Sequence, residues 1–348
     1  MKTALLHYWL TNVRGGEKVL AALGDMLPEA DIFTHAFGRG MRDEGRGVRW
    51  KGHRVTESFI ARLPFGRRKP QAYLPLMPMA SRSLKLDGYD LIVSSESGPI
   101  KGIRKPKGAR HVCYCHTPMR YLWDMHDEYY RTAGMLGKLS MKLFTSYLRR
   151  EDLKSAESVD EFVANSAFVA ERIKRIYGRD SVVVHPPVDV EFFGDVERSD
   201  GGYYLFVGAN VAYKRLDIAE EACRRMGRRL VMAGGGSVTN EELRSLYAGA
   251  RALLFPGVED FGIVPVEAQA AGAPVIALGR GGALETVCGG ETGLFFAEES
   301  AESLCGAIEE FESRSWSPAA CRANASRFAK RVFLDRMADV LSGAGRNL

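Results

Sequence analysis

The sequence predicts two α/β domains, each built on a parallel sheet, and three observations lead there. The chain has 348 residues, too many for one ordinary core and suited to two domains of roughly 150 residues each. Short apolar, β-prone runs alternate with longer amphipathic segments, the signature of βα units. That alternation occurs twice, on either side of the Pro-rich stretch HPPVDVEFFGD, which reads as an extended hinge.

The strand-like runs of the first half are 4–8, 31–34, 90–93, 111–114, 161–164 and 181–184. Those of the second half are 203–207, 229–233, 252–255 and 274–278. This places an N-terminal domain at 1–188, a C-terminal one at 189–326, and an amphipathic closing helix within 327–348 that packs back on the first domain. Open α/β sheets bind ligands beyond the carboxyl ends of their strands, and here those ends are polar or Gly-rich. They read TNVRGGEK, SSESGP, CHTPMR and NSAF, then GANVAYKR, GGGS, PGVEDFG and GRGG. Facing sheets bring all of these loops to one crevice.

Composition excludes more than it selects. With 46% hydrophobic and 26% charged residues the chain is ordinary for a globular protein. Its net charge of +5 is too small for a dedicated nucleic-acid binder. Cys113, Cys115, Cys223, Cys288, Cys305 and Cys321 form no CxxC pair and no Cys/His ligand spacing, so they read as reduced thiols, not as a zinc site or a disulfide framework. The opening MKTALLHYWLTNVRGGEKV reads as a first strand and not as an export signal. No stretch approaches the roughly 18 apolar residues of a membrane span. A cytoplasmic protein is expected.

The sharpest signal is Glu259-Asp260-Phe261-Gly262-Ile263-Val264-Pro265-Val266-Glu267. Pro265 suits the first turn of a helix, where its missing N–H is no loss. The amides of Gly262, Ile263 and Val264, and the backbone at Phe261, then lie at a positive helix end, a ready site for a diphosphate. Glu259 and Glu267 flank that end and can accept hydrogen bonds from sugar or ribose hydroxyls. The plainer alternative makes Glu267 a complement to the helix dipole and Glu259 a solvated loop charge.

The string EDFGIVPVEAQAAGAPVIA resembles the E-x7-E signature of the retaining glycosyltransferases of family 4, which have the GT-B fold of two Rossmann-like domains facing across a cleft. CYCHTPMRYLWD, the NS loop at Asn165, VVVHPPVD, YKRLD, and GGALETV with TGLFF resemble the bacterial mannosyltransferases that build surface polysaccharides. The likeness runs over nearly the whole chain. It implies a metal-independent enzyme with no cofactor beyond its nucleotide-sugar donor, GDP-mannose in the first instance, and a glycan or lipid-linked acceptor. UDP- or dTDP-sugars, an impaired sugar-nucleotide-binding protein, and a nucleotide-sugar epimerase are the alternatives.

The resemblance assigns roles residue by residue. Glu259, His116 and Lys214 are the catalytic set. Lys214 presents a point charge to the leaving diphosphate, aided by Arg215. His116, in a His-Thr-Pro turn, contacts the transferred sugar. Arg120 binds phosphate or anchors that turn. Gly15 and Gly16 let the backbone approach a ligand as a helix opens, and Gly281 and Gly282 are read the same way. Where many family members carry an arginine before the lysine, this chain has Ala209 or Asn210. Between RRLVMA and NEELRSLYAGA only GGGSVT remains, where the family usually places a helix and a strand that contribute to the base pocket. Two stretches, ESFIARLPFGRRKPQAYLPLMPMA and GMLGKLSMKLFTSYLRRED, mix bulky apolar with basic residues and read either as peripheral contacts with an anionic membrane at the inner cell face or as ordinary buried stripes with solvated cations.

Overall fold

The computed structural model describes residues 1–41, 49–234 and 238–343; the Gly-Gly-Ser at 235–237, part of the shortened stretch singled out above, lies outside them. Two compact units emerge, one of Met1–Val184 with Met337–Leu348 and the other of His185–Arg336.

Along the first unit run β1 (Thr3–His7), α1 (Gly15–Met26), β2 (Asp31–Thr34), β3 (Arg49–Trp50), β4 (His53–Glu57), α2 (Met77–Arg82), β5 (Leu91–Glu96), β6 (Arg110–Cys115), α3 (His126–Thr132), α4 (Met135–Ala156), β7 (Glu161–Ala164), α5 (Ala167–Tyr177) and β8 (Ser181–Val183). Its sheet has the order β3-β4-β2-β1-β5-β6-β7-β8. Every pairing is parallel except β3 with β4. The strand order therefore reverses between β1 and β5. Strands 49–50 and 53–57 were not among the sequence-derived runs, because HRVTE is short and polar and carries no apolar period.

The second unit contains α6 (Val190–Gly194), β9 (Tyr203–Val207), α7 (Leu216–Arg225), β10 (Arg229–Ala233), α8 (Asn240–Gly249), β11 (Ala250–Phe255), α9 (Ile263–Ala270), β12 (Val275–Leu278), α10 (Ala283–Thr286), β13 (Gly293–Phe296), α11 (Ala301–Glu312), α12 (Pro318–Ser326) and the start of α13 (Lys330–Ser342). Its five strands are all parallel in the order β10-β9-β11-β12-β13, reversing between β9 and β11. Side chains alternate across this sheet as a two-residue period requires. Leu205, Val207, Leu253, Phe255 and Ala277 join one apolar layer, while Tyr204, Phe206, Leu254, Ile276 and Leu278 join the other.

Helix starts follow their cap residues. Ser166 Oγ accepts from the Val169 amide ahead of α5, and Thr239 with Glu242 forms a reciprocal capping box ahead of α8. Helix α13 begins in the second unit and its last residues belong to the first. There the Arg110 guanidinium donates to the Val340 and Leu341 carbonyls.

Candidate functional site

Each sheet carries its polar cluster where its strand order reverses, the place at which open α/β sheets leave a crevice beyond the strand ends. In the second unit Lys214 follows β9 and Glu259 follows β11. They are 45 residues apart in sequence, yet Lys214 Nζ lies 2.6 Å from Glu259 Oε1, with side chains 15% and 20% exposed.

Backbone glycines make that meeting possible. A Cβ on Gly257 would fall 2.4 Å from the Tyr213 carbonyl oxygen and 2.7 Å from Lys214 Cα, and one on Gly208 would fall 2.9 Å from Lys214 Nζ. The lysine thus lies across a floor where only glycine fits. A second close approach locks the other carboxylate-bearing loop. The Gly282 amide donates to the Glu259 carbonyl, and a Cβ at Gly282 would sit 2.3 Å from Phe261 Cα. This is the physical role of the Gly281-Gly282 pair: packing of loop on loop.

Helix α9 starts at Ile263 behind Gly262, whose φ is +89°. Pro265 is its third residue, in the first turn. The Ile263 and Val264 amides have no intrahelical acceptor by geometry. Phe261 is buried and its ring stacks on His185 and meets Phe328 edge-on, so its side chain packs the core while its backbone forms the loop. Glu267 is buried as well and accepts from the Tyr247 hydroxyl at 3.1 Å. Burial and then this carboxylate push the Tyr247 pKa well up, which keeps the phenol a donor. Arg215 turns aside: its guanidinium meets Asp217 at 3.0 Å and Glu299 at 3.5 Å.

In the first unit the cluster gathers at the ends of β1, β5 and β6. His116 Nε2 lies 2.9 Å from Ser95 Oγ, and its ring meets Tyr114 edge-on. Burial above all, with His7 second, lowers its pKa to about 3, so His116 is a neutral imidazole at working pH. Gly16 lies against the same group. A Cβ there would meet the Tyr8 hydroxyl at 3.3 Å and His116 Nε2 at 3.5 Å. The space that Gly16 leaves is therefore taken by the chain's own side chains. Beneath it His7, fully buried, faces Glu17 at 3.6 Å. Burial alone would raise the Glu17 carboxyl, but His7 and the Arg14 amide outweigh it and hold it below its usual range. Gly15 opens α1. Arg120 is half-buried, and its carbonyl accepts from the Met125 amide in the turn after His116.

The structure thus joins Lys214 to Glu259 and the Gly282 loop, and His116 to Gly16. It separates Arg215 and Glu267 into partnerships of their own. Sequence reasoning missed His7, Tyr8, Glu17 and Ser95. It also missed Arg172 of α5, buried against Thr117 Oγ1 at 3.0 Å and against Asp124, which pins the His-Thr-Pro turn. Glu17 accepts from the Arg14 amide three residues before it, but an arginine, whose side chain cannot accept, is no capping signal in the sequence; the others are brought in by the fold, Ser95 to His116 across 21 positions and Arg172 to Thr117 across 55, and carried none. Among the described residues no group of three or more His, Cys, Asp or Glu is arranged to hold a metal.

Two parallel-sheet domains with polar clusters at both reversal points define the GT-B class. Comparison with known structures agrees. Anabaena Alr3699/HepE in complex with UDP and glucose superposes over 98% of this chain and 99% of its own, with a TM-score of 0.67 at 17% identity. Sucrose-phosphate synthase from Thermosynechococcus elongatus does so over 99% of both, with a TM-score of 0.71 at 16% identity. Likeness at that identity carries the fold.

Sequence gives the family. A profile described as Glycosyltransferase Family 4 matches residues 13–192, just over half of the chain, and one described as Glycosyl transferases group 1 matches 235–328. The chain belongs to Glycosyltransferase Family 4. It is 28% identical over 197 residues to a D-inositol 3-phosphate glycosyltransferase of Mycobacteroides abscessus (44% of each chain) and 29% identical over 235 residues to one of Rhodococcus erythropolis (53% of each). These matches span about half the length of the curated relatives.

Proposed function

We propose that the protein transfers a hexose, mannose from GDP-mannose, to a lipid-linked or polysaccharide acceptor with retention and without a metal. The observation that carries this reading is the Lys214–Glu259 contact beside the start of α9 at the β9/β11 reversal. An ammonium and first-turn amides there meet the charge that develops on a departing diphosphate. The bond between the anomeric carbon and the phosphate oxygen breaks with its electron pair on that oxygen. The acceptor oxygen bonds to the same face, and its proton passes to the departing phosphate oxygen. Glu259 holds Lys214 and orients the sugar. Neutral His116 can exchange hydrogen bonds with a sugar hydroxyl but cannot serve as an acid. Mannose rests on the resemblance of CYCHTPMRYLWD, VVVHPPVD and YKRLD.

A UDP-sugar donor is the second reading, favoured by the UDP and glucose bound to the Anabaena protein. We place the enzyme in the cytoplasm at the inner membrane face, where Phe65, Met79, Met135 and Leu136, all more than half exposed, contact anionic lipid. No helix among the described residues is long and apolar enough to cross a membrane.

The test is a donor panel of GDP-, UDP- and dTDP-sugars with wild type, Lys214→Ala and Glu259→Ala. Turnover with GDP-mannose and a loss of about 100-fold or more in each variant, with the fold intact, is expected. Unchanged turnover in both variants removes the site. Turnover with a UDP-sugar alone replaces mannose by the second reading, and binding without turnover removes the enzyme.

A further inference from the structure

A cavity of about 330 Å³ opens in the first unit between α2, the C-terminal half of α4, and the loops that leave β5 and β6. Its apolar lining is Pro78, Pro99, Ile103, Met119 and Leu148, and Ser155 and Ser158 line it beside them. Its rim is charged. Arg82 is paired with Glu151 at 2.5 Å, while Lys154 and Glu157, both exposed, line it without an ion pair between them among the described residues. Asp152 also lines it but is spent on Lys101 at 2.6 Å and on the Trp123 indole at 2.8 Å.

Two features choose the occupant. The volume is at the low end for small-molecule sites and five apolar side chains line it, so the space has room for a single apolar chain. The path to it is apolar as well. Leu148 is one turn from Phe144 on α4, and the helix continues through Leu143, Leu139 and Leu136, which are 63%, 54% and 84% exposed. Residues 133–150 include Lys138, Lys142, Arg149 and Arg150 and no acid, the acids Glu151, Asp152 and Glu157 following at the cavity end. A helix half with bare apolar side chains and only positive charge complements an anionic lipid surface.

The geometry points to this cavity as the site for the apolar chain of an anionic lipid, with its head at Lys154 and its tail against Leu148, Met119 and Ile103. Resting on the reading of the protein as a glycosyltransferase, this makes the acceptor an amphiphile. Its tail is held by the same two loops that follow Ser95 and lead from His116 to Met119.

The experiment titrates the full-length protein with dodecyl phosphate below its micelle concentration and reads Trp123, whose indole is bonded to the cavity wall. Inorganic phosphate is the control, and a GDP and UDP thermal shift reports nucleotide binding separately. Saturable one-to-one binding is expected, weakened at least 10-fold by Ser155→Met, which fills the cavity from α4, and about 3-fold by the exposed Lys154→Glu. Nucleotide binding stays unchanged in both. Equal response to inorganic phosphate, binding only above the micelle concentration, or wild-type affinity in a folded Ser155→Met overturns the assignment. Should Ser155→Met lose its melting transition, wild-type affinity in Lys154→Glu overturns it alone. Because no turnover is measured, failure here leaves the donor site standing, and loss of the nucleotide shift alone leaves the lipid site standing.

Discussion

Two lysines separate the units more clearly than any difference in topology. Lys101 of the first unit is fully buried between Glu96 at 2.8 Å and Asp152 at 2.6 Å. Its ammonium lies 5.0 Å from the Tyr177 ring. Lys214 of the second touches one carboxylate, and both groups keep contact with solvent. Burial lowers the Lys101 pKa less than its two carboxylates raise it, so it stays charged, and Glu96 is pushed up by burial in spite of it. The second unit keeps apolar layers on both faces of its sheet and holds its Lys214–Glu259 pair at the strand ends. The first places charges and imidazoles inside. A buried ionic network holds a fold in one arrangement, whereas an ion pair that keeps contact with solvent is available to a ligand.

Acid is the strongest way to separate the units. Burial lowers His35 and His111 to about 4 and His116 to about 3, and all three lie in the first unit. Between pH 6.5 and 4 the unfolded chain holds protons on these rings that the folded chain does not. Stability is therefore full above pH 6.5 and is lost as pH falls. Each group contributes up to about 1.4 kcal/mol per pH unit, so three set an upper bound of about 4 kcal/mol per pH unit. Hydrogen exchange at pH 7 and pH 5 is expected to show the first unit opening while the second keeps its protection. Equal loss in both units would break the contrast.

Next is Lys101→Met, which leaves Glu96 and Asp152 buried without a cation and costs about 3–5 kcal/mol in urea unfolding. Lys214→Met is expected within about 1 kcal/mol of wild type while donor turnover falls. Comparable destabilisation by the two substitutions would erase the distinction. Gly257→Ala comes third. Its new methyl meets backbone at Tyr213 and Lys214, costs about 1–3 kcal/mol, and displaces the ammonium, so a melting curve and a donor titration should fall together.

How much of this was legible depended on whether a signal was local. Apolar runs such as YYLFV and the LIV of 90–93 predict strands at once, because a strand buried on both faces reads as a continuous apolar stretch. HRVTE escaped because it is short and polar, and GLFF, matched only within TGLFF, begins with a glycine whose Cβ would fall 1.9 Å from the Val275 carbonyl oxygen. Lys214 and Glu259 were legible through motif resemblance, but their contact was not, since it depends on two reversing strands and on Gly208 and Gly257. Glu267 shows the limit of reading a motif as a site. The same spacing that puts Glu259 at the helix start turns Glu267 inward to Tyr247, a partner 20 residues upstream that only the fold supplies.

Arg215 is the smallest test and the one closest to the sequence reading. Beside Lys214, an arginine invites assignment to the same phosphate, and chain neighbours share a loop. Yet Arg215 has φ +52° and ends the short turn that carries Lys214, and that left-handed residue sends its side chain to Asp217 and Glu299. These carboxylates hold its pKa above the usual guanidinium range, with the Asp217 hydrogen bond the largest cause. A guanidinium already engaged in this way has little to give a diphosphate. Arg215→Ala should change donor affinity less than about 3-fold and stability by less than about 0.5 kcal/mol. Arg215→Gly, which relieves the left-handed backbone, should be at least as stable. A donor affinity loss near that of Lys214→Ala would show that Asp217 and Glu299 release the arginine when donor binds, and would extend the phosphate site to both residues.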